Sequence, residues 1–158
     1  MSTAEQDRWK QLAAVAAVAG RLWIRVGDLN FFAAWEVKAA PKTCALFRRM
    51  LPMKVKLIHC SWSGEGVWAP LEGREGQWQE ENSTGHPSPG QLLLYMGDQS
   101  EPELLISCGA CIFNSKAGVL KGNHFATISE GVAQLADLHR LVLWHGAQDC
   151  IIENIAAG

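Results

Sequence analysis

The chain has 158 residues, of which 48% are hydrophobic and 19% charged, with a formal net charge of −2. That length suits one domain with its own core, and that balance excludes a disordered chain. The densest positive stretch is Arg48, Arg49, Lys54 and Lys56, too sparse for the phosphate attraction of a nucleic-acid binder, and no apolar run nears the roughly 20 residues that span a bilayer.

Residues 1–20 read as an N-terminal extension, helical or disordered. Leu12–Ala19 is apolar and follows Arg8 and Lys10, as in a secretory leader, but Glu5 and Asp7 cancel the positive charge. A short helical or frayed segment is expected instead. Arg21–Gly27 and Leu29–Val37 are β-rich runs around Gly27-Asp28, hence a hairpin. Pro41–Leu51 reads as a helix. Pro41 suits the first helical position, Cys44, Leu46, Phe47 and Leu51 recur at near-helical spacing, and Pro52 stops the run.

Lys54–Trp62 reads as a strand with Val55, Leu57 and His59 on one face and Ile58, Cys60 and Trp62 on the other. Its Trp end is expected to be buried on both sides. Ser63–Gly66 reads as a turn and Val67–Pro70 as a short extended piece. Glu72–Gly90 is a long polar segment rich in Gly, Pro, Ser and Asn; loops of that length in compact domains are commonly functional or mobile. Gln91–Met96, Glu103–Phe113, Asn123–Ile128 and Cys150–Ile155 follow as strands, with a loop at Ser115–Gly122. Ser129 is a candidate N-cap with Glu130 beside it. It opens a helix over Ser129–Leu143 whose apolar face is Val132, Leu135, Leu138 and Val142. Many short strands with only two helices indicate a sandwich or barrel.

The segment Ala40-Pro41-Lys42-Thr43-Cys44-Ala45-Leu46-Phe47 resembles the Ala-Pro-Lys-Thr-x-x-x-Phe helix start of cyclophilins, and like it follows a hairpin. The runs Trp62–Trp68, Pro87–Gly90, Ser115–Gly118 and Gly122–Phe125 resemble DUF3830, a bacterial family of cyclophilin-like proteins. The resemblance implies a mainly β fold: a closed antiparallel cyclophilin-like β-barrel over about residues 21–155, with two short capping helices. It implies no function. Where cyclophilins carry Phe-His-Arg this chain has Ile58-His59-Cys60, and Ser63-Gly64-Glu65-Gly66 replaces their Gln-Gly-Gly-Asp. Losing one preorganised donor commonly costs about 10²–10³ in rate, and a thiol is a weak donor. Prolyl isomerase activity is therefore doubtful on these residues.

The residues that point to chemistry fall in two stretches. His59 and Glu65 form a His/carboxylate pair flanked by Trp62 and Trp68; a carboxylate beside indoles loses water and suits acid–base work. His124, following Asn123 at a strand start, is a candidate proton carrier or clamp. Glu65, His59 and His124 are the catalytic candidates. Trp62, Trp68, Asn82, Tyr95, Lys116 and Asn123 are the ligand-binding candidates. The two stretches, 59–68 and 123–124, are expected to converge on one concave mouth.

The histidines His59, His86, His124, His139 and His145 show no tight ligand spacing, so no metal is expected, and no motif calls for a cofactor. His139 and His145 read as surface groups. Cys108-Gly-Ala-Cys111 falls in a predicted strand, where residues three apart lie about 10 Å apart against the roughly 7 Å limit of a disulfide. An odd count of five cysteines indicates free thiols in a reducing cytoplasm. The function expected is binding of a small polar molecule, with neither nucleic acid nor membrane as partner. A proline-peptide module or isomerase, and a homo-oligomeric structural protein, are the alternatives; whether the chain is catalytic stays open.

Overall fold

Every strand that carries the barrel alternates between a core-facing and an outward-facing set. In β1 (Arg21–Val26), Leu22, Ile24 and Val26 are fully buried, and Arg21, Trp23 and Arg25 face outward. Gly27, at φ 57°, turns the chain into β2 (Leu29–Trp35), a left-handed position that glycine occupies without strain. The computed structural model describes residues 2–10, 20–72 and 78–156.

The remaining elements follow in order: α1 (Pro41–Arg49), β3 (Met53–His59), β4 (Gly64–Pro70), β5 (Ser83–Thr84), β6 (Gln91–Tyr95), β7 (Glu103–Cys111), β8 (Asn114–Ser115), β9 (Gly118–Val119), β10 (Gly122–Glu130), α2 (Leu135–His145) and β11 (Gln148–Ile155). Strands pair in the order β2-β1-β11-β3-β4-β7-β6-β10, and β10 pairs back onto β2, closing an eight-stranded antiparallel barrel. Closure removes the unpaired sheet edges. Inward residues of all eight strands, together with Phe47 of α1 and Leu135, Leu138 and Val142 of α2, make one core. Phe47 and Phe125 meet at its centre with ring centroids 4.5 Å apart.

β6 and β7 are largely buried on both faces, and this positions the site. Leu92 and Leu94 point inward. Leu93, Tyr95 and Leu105 point outward into a second cluster completed by Cys60, Phe113 and Leu120. The segment after β7 folds back over the outside of the barrel to supply Phe113 and Leu120, and its small β8–β9 hairpin replaces the expected loop at Ser115–Gly122.

Several local expectations are corrected by tertiary pairing. β3 ends at His59, so Trp62 stands in a turn and is 55% exposed rather than buried on both sides. The turn lies at 60–63, and Glu65 and Gly66 belong to β4, where Gly64 and Gly66 pair with Cys111 and Ser107 of β7 and Glu65 sits at the bulge between them. Ser129 is no N-cap: β10 runs on to Glu130 opposite Phe32, and the Ser129 hydroxyl donates to the Phe32 carbonyl at 3.3 Å. Gly131, at φ 95°, ends the strand, a 3-10 turn at Val132–Gln134 follows, and α2 begins only at Leu135, leaving Val132 exposed. Residues 3–10 are helical, with the Arg49 guanidinium 4.9 Å above the Trp9 ring. The apolar stretch at 12–19 lies outside the described residues. No helix of the described residues is long and apolar enough to cross a membrane.

Candidate functional site

A cleft of about 440 Å³ opens on the outer face of the barrel where the 60–63 turn, the 99–101 loop and the β8–β9 turn meet. Its floor comes from strand register. Leu57, Val67, Ala69 and Leu104 face the core, so Ile58, Trp68 and Glu103 face outward. Trp68 pairs with Ile58 on one side and Leu105 on the other, and Glu103 pairs with Pro70 and Tyr95. Trp68 and Glu103 are therefore diagonal neighbours on one face, roughly 7–8 Å apart. The rim is braced by Ser63: its hydroxyl donates to the Asn114 carbonyl at 3.2 Å and accepts from the Asn114 N–H at 3.1 Å. Ser115 holds the turn that presents Lys116, accepting from Ala117 N–H and donating to Gly118 O.

Glu103 is the unusual group. Only 9% of it is exposed, yet it lines the cleft. Burial, with a smaller push from Glu101, raises its carboxyl to about 7. Among the described residues no donor or cation offsets that effect. Cys60 forms a neighbouring part of the wall; burial pushes its thiol well up, so it is neutral and protonated.

Of the residues singled out from sequence, His59, Trp62, Trp68 and Lys116 line this cleft. His59 sits at the barrel rim with its ring against His139 of α2, centroids 5.6 Å apart; His139 is thus a packed group rather than a free surface one. Glu65 does not reach the cleft. It rides the β4 bulge across Gly109, where an added Cβ would collide with its carboxylate. Tyr95 lines a second, adjoining cleft of about 300 Å³ that shares Gln99 with the first, and its hydroxyl accepts from the Gln99 N–H at 3.1 Å.

His124, Asn82 and Asn123 lie away from both clefts. The Thr127 hydroxyl donates to Glu36 at 2.7 Å and sits 2.7 Å from His124 Nε2. With Thr127 donating to Glu36, Nε2 is the N–H that donates to Thr127, and Nδ1 accepts from the Asn82 amide at 3.4 Å. Asn82, at φ 50°, also donates to the His124 carbonyl at 2.9 Å. Burial lowers the His124 pKa, against an opposing pull from Glu36. Asn123 is fully buried and fully engaged: its amide donates to Thr43 Oγ1 at 3.0 Å and Gln79 O at 2.6 Å and accepts from Glu81 N–H at 3.0 Å. Glu81 in turn accepts from the N–H and hydroxyl of Thr43 in the first turn of α1. The 78–84 segment is pinned this way beside β10, and its contacts take up the side chains of Asn123 and His124. The two stretches do not share a mouth.

Glu103 was missed because it stands at a strand start after Pro102, where a charge reads as a solvated end. The available signal was its face: outward, in line with Leu105 and beside the apolar outward residues Leu93 and Tyr95. A charge in an otherwise apolar outer stripe marks a covered surface. Among the described residues no group of three or more His, Cys, Asp or Glu side chains has a metal-holding arrangement.

The profile of DUF3830, "Protein of unknown function", matches residues 22–153. No curated protein matches the chain. Among solved structures, McbB in complex with tryptophan superposes with a TM-score of 0.63 at 14% identity; 87% of this chain is covered, and it spans 45% of the McbB chain. The hypothetical protein AF2241 from Archaeoglobus fulgidus gives 0.57 at 15% identity over 87% of this chain and 96% of that one. A cyclophilin-type peptidyl-prolyl cis-trans isomerase of Cryptosporidium parvum, solved in the presence of the dipeptide Ala-Pro, gives 0.55 at 12% identity over 87% and 99%. At these identities the likeness is one of fold.

Proposed function

The chain belongs to the DUF3830 family and has a cyclophilin-like barrel, and on that premise we propose that it binds a small polar molecule in the outer cleft between Trp68, Glu103 and the 60–63 turn. The observation that carries the reading is a buried carboxylate facing an opening of about 440 Å³. That volume lies within the usual range for small-molecule sites, roughly 300–1,000 Å³, which combine apolar walls with a few placed polar groups. Trp62 and Trp68 supply the walls; Glu103, His59 and Lys116 supply the polar contacts. McbB, whose chain includes a region of similar fold, was solved in complex with a small molecule, tryptophan.

The test is a thermal-shift screen of polar metabolites on the wild type, Trp68→Ala and Glu103→Gln. A ligand that raises the wild-type Tm and raises that of both variants less supports the reading. A panel that shifts nothing, or shifts all three proteins equally, contradicts it.

One observation favours a second reading, a proline-peptide site: the Cryptosporidium parvum isomerase was solved with Ala-Pro. Against catalysis, the cyclophilin arginine position holds buried Cys60, and Lys116 is the one Lys or Arg among the described residues lining the cleft. Exchange NMR of an X–Pro peptide separates the two readings. Accelerated cis/trans exchange selects the isomerase, and an unchanged rate with no Ala-Pro binding leaves the small-molecule site.

A further inference from the structure

We propose that the cleft selects a ligand bearing a positive charge, a primary ammonium above all, seated between the Glu103 carboxylate and the Trp68 indole. The proposal rests on the small-molecule reading above and specifies its ligand class.

Three features of the cleft point to a cation. Glu103 is about nine-tenths buried and still borders open space. A buried charge is normally paired, and a ligand cation in the cleft is placed to do so. Its diagonal neighbour on the same face is Trp68, and indole is the best of the aromatic partners for a cation, more so when both are desolvated. Trp62, 55% exposed at the mouth, is a second indole on the entry side. The charge balance runs the same way. Glu101 and Glu103 both line the cleft against Lys116, the one lysine or arginine among the described lining residues; Glu101 and Lys116 are exposed and Glu103 is buried. An ammonium entering this space meets two acidic side chains and two indoles, and its charge favours the ionised form of Glu103. Position 60, on the wall beside Glu103, holds a neutral thiol, so nothing there competes for the carboxylate.

The protonation of Glu103 gives the proposal a second readout. Among the described residues, the titratable groups beside it are Tyr95 across the ladder on β6, Glu101 from the preceding loop, His59 at the end of β3, Cys60 just after it, and Lys116 from the β8–β9 turn. Burial holds its carboxyl near 7, so in the empty protein a large share is neutral at neutral pH. An ammonium ligand requires the carboxylate. Affinity therefore rises with pH until Glu103 is ionised and is flat above that, for as long as the ligand amine stays protonated.

The experiment compares three probes of one shape by calorimetry and indole fluorescence: 2-phenylethylamine, neutral 2-phenylethanol and anionic 3-phenylpropanoate. The amine is expected to bind at least about tenfold more tightly than the alcohol, with the carboxylate weakest. Its affinity is expected to rise roughly tenfold from about pH 6 to about pH 8. Glu103→Gln should erase both the preference for the amine and the pH dependence. Trp68→Phe, which keeps an aromatic wall, should reduce the preference without abolishing it. Alcohol or carboxylate binding as tight as the amine's overturns the cation inference and leaves the small-molecule reading standing. Binding of none of the three also overturns it, and if the metabolite panel is silent as well, the reading beneath it falls too.

Discussion

Glu103 and His124 are both partly desolvated titratable groups, but burial acts on them in opposite senses because it always disfavours the charged form. For Glu103 the folded-state pKa, about 7, lies above the unfolded value of 4.5. Its contribution to stability is thus fully present below pH 4.5 and is lost as pH rises to 7. Glu103→Gln should stabilise the protein above pH 7 by up to on the order of 3 kcal/mol, with the gain vanishing at acid pH; urea midpoints at both ends measure it. For His124 the folded pKa is lowered from 6.5, so stability is held above pH 6.5 and lost as pH falls below it. The wild type should lose more stability than His124→Gln between about pH 7.5 and about pH 5.5. The two variants bend the pH–stability curve in opposite directions. Equal curvature would mean that neither desolvation is real.

Asn123 shows how one side chain joins elements far apart in sequence. Its amide ties the segment before β5 to the first turn of α1, through hydrogen bonds to Gln79, Glu81 and Thr43. Asn123→Ala leaves buried donors and acceptors unpaired, which costs about 1–3 kcal/mol for each such group. It should destabilise the protein by several kcal/mol and speed hydrogen exchange at the Thr43 and Glu81 amides first. Uniform acceleration across the barrel would show that the network is not a local clamp. At this scale the sequence was legible where a residue's preference and its long-range partners agree. The β1–β2 hairpin and the Pro41 helix start both stand as expected. It misled where pairing overrode a local signal. Ser129 has the chemistry of a helix cap, but the ladder to β2 reaches Glu130 and takes it into a strand. Trp62 has the hydrophobicity of a core residue, but β3 ends three residues earlier.

The closed barrel as a whole was legible through the spaced motifs around Trp62, Pro87, Ser115 and Gly122, not through any one element. What stayed hidden was which outer face would be covered. That depends on where the 78–84 and 112–122 segments lie across the barrel, a non-local fact that alternation does not encode. Burial by those segments and by the core leaves all five cysteines free and buried, with the thiols of Cys44, Cys108 and Cys150 pushed to about 12. The thiolate is the reactive form, so the native protein should react with a maleimide or an aromatic disulfide far more slowly than the urea-unfolded chain. Rapid labelling of a native thiol would contradict the packing described.

An NMR titration of the tryptophan indole N–H signals tests the outer cleft most directly. With a library of small polar molecules, binders are expected to shift the Trp62 and Trp68 signals while leaving Trp23, Trp35 and Trp144 in place, and Glu103→Gln should weaken the response to cationic members. Shifts confined to those other indoles, or no shifts from any compound, would contradict a ligand site between Trp68 and Glu103.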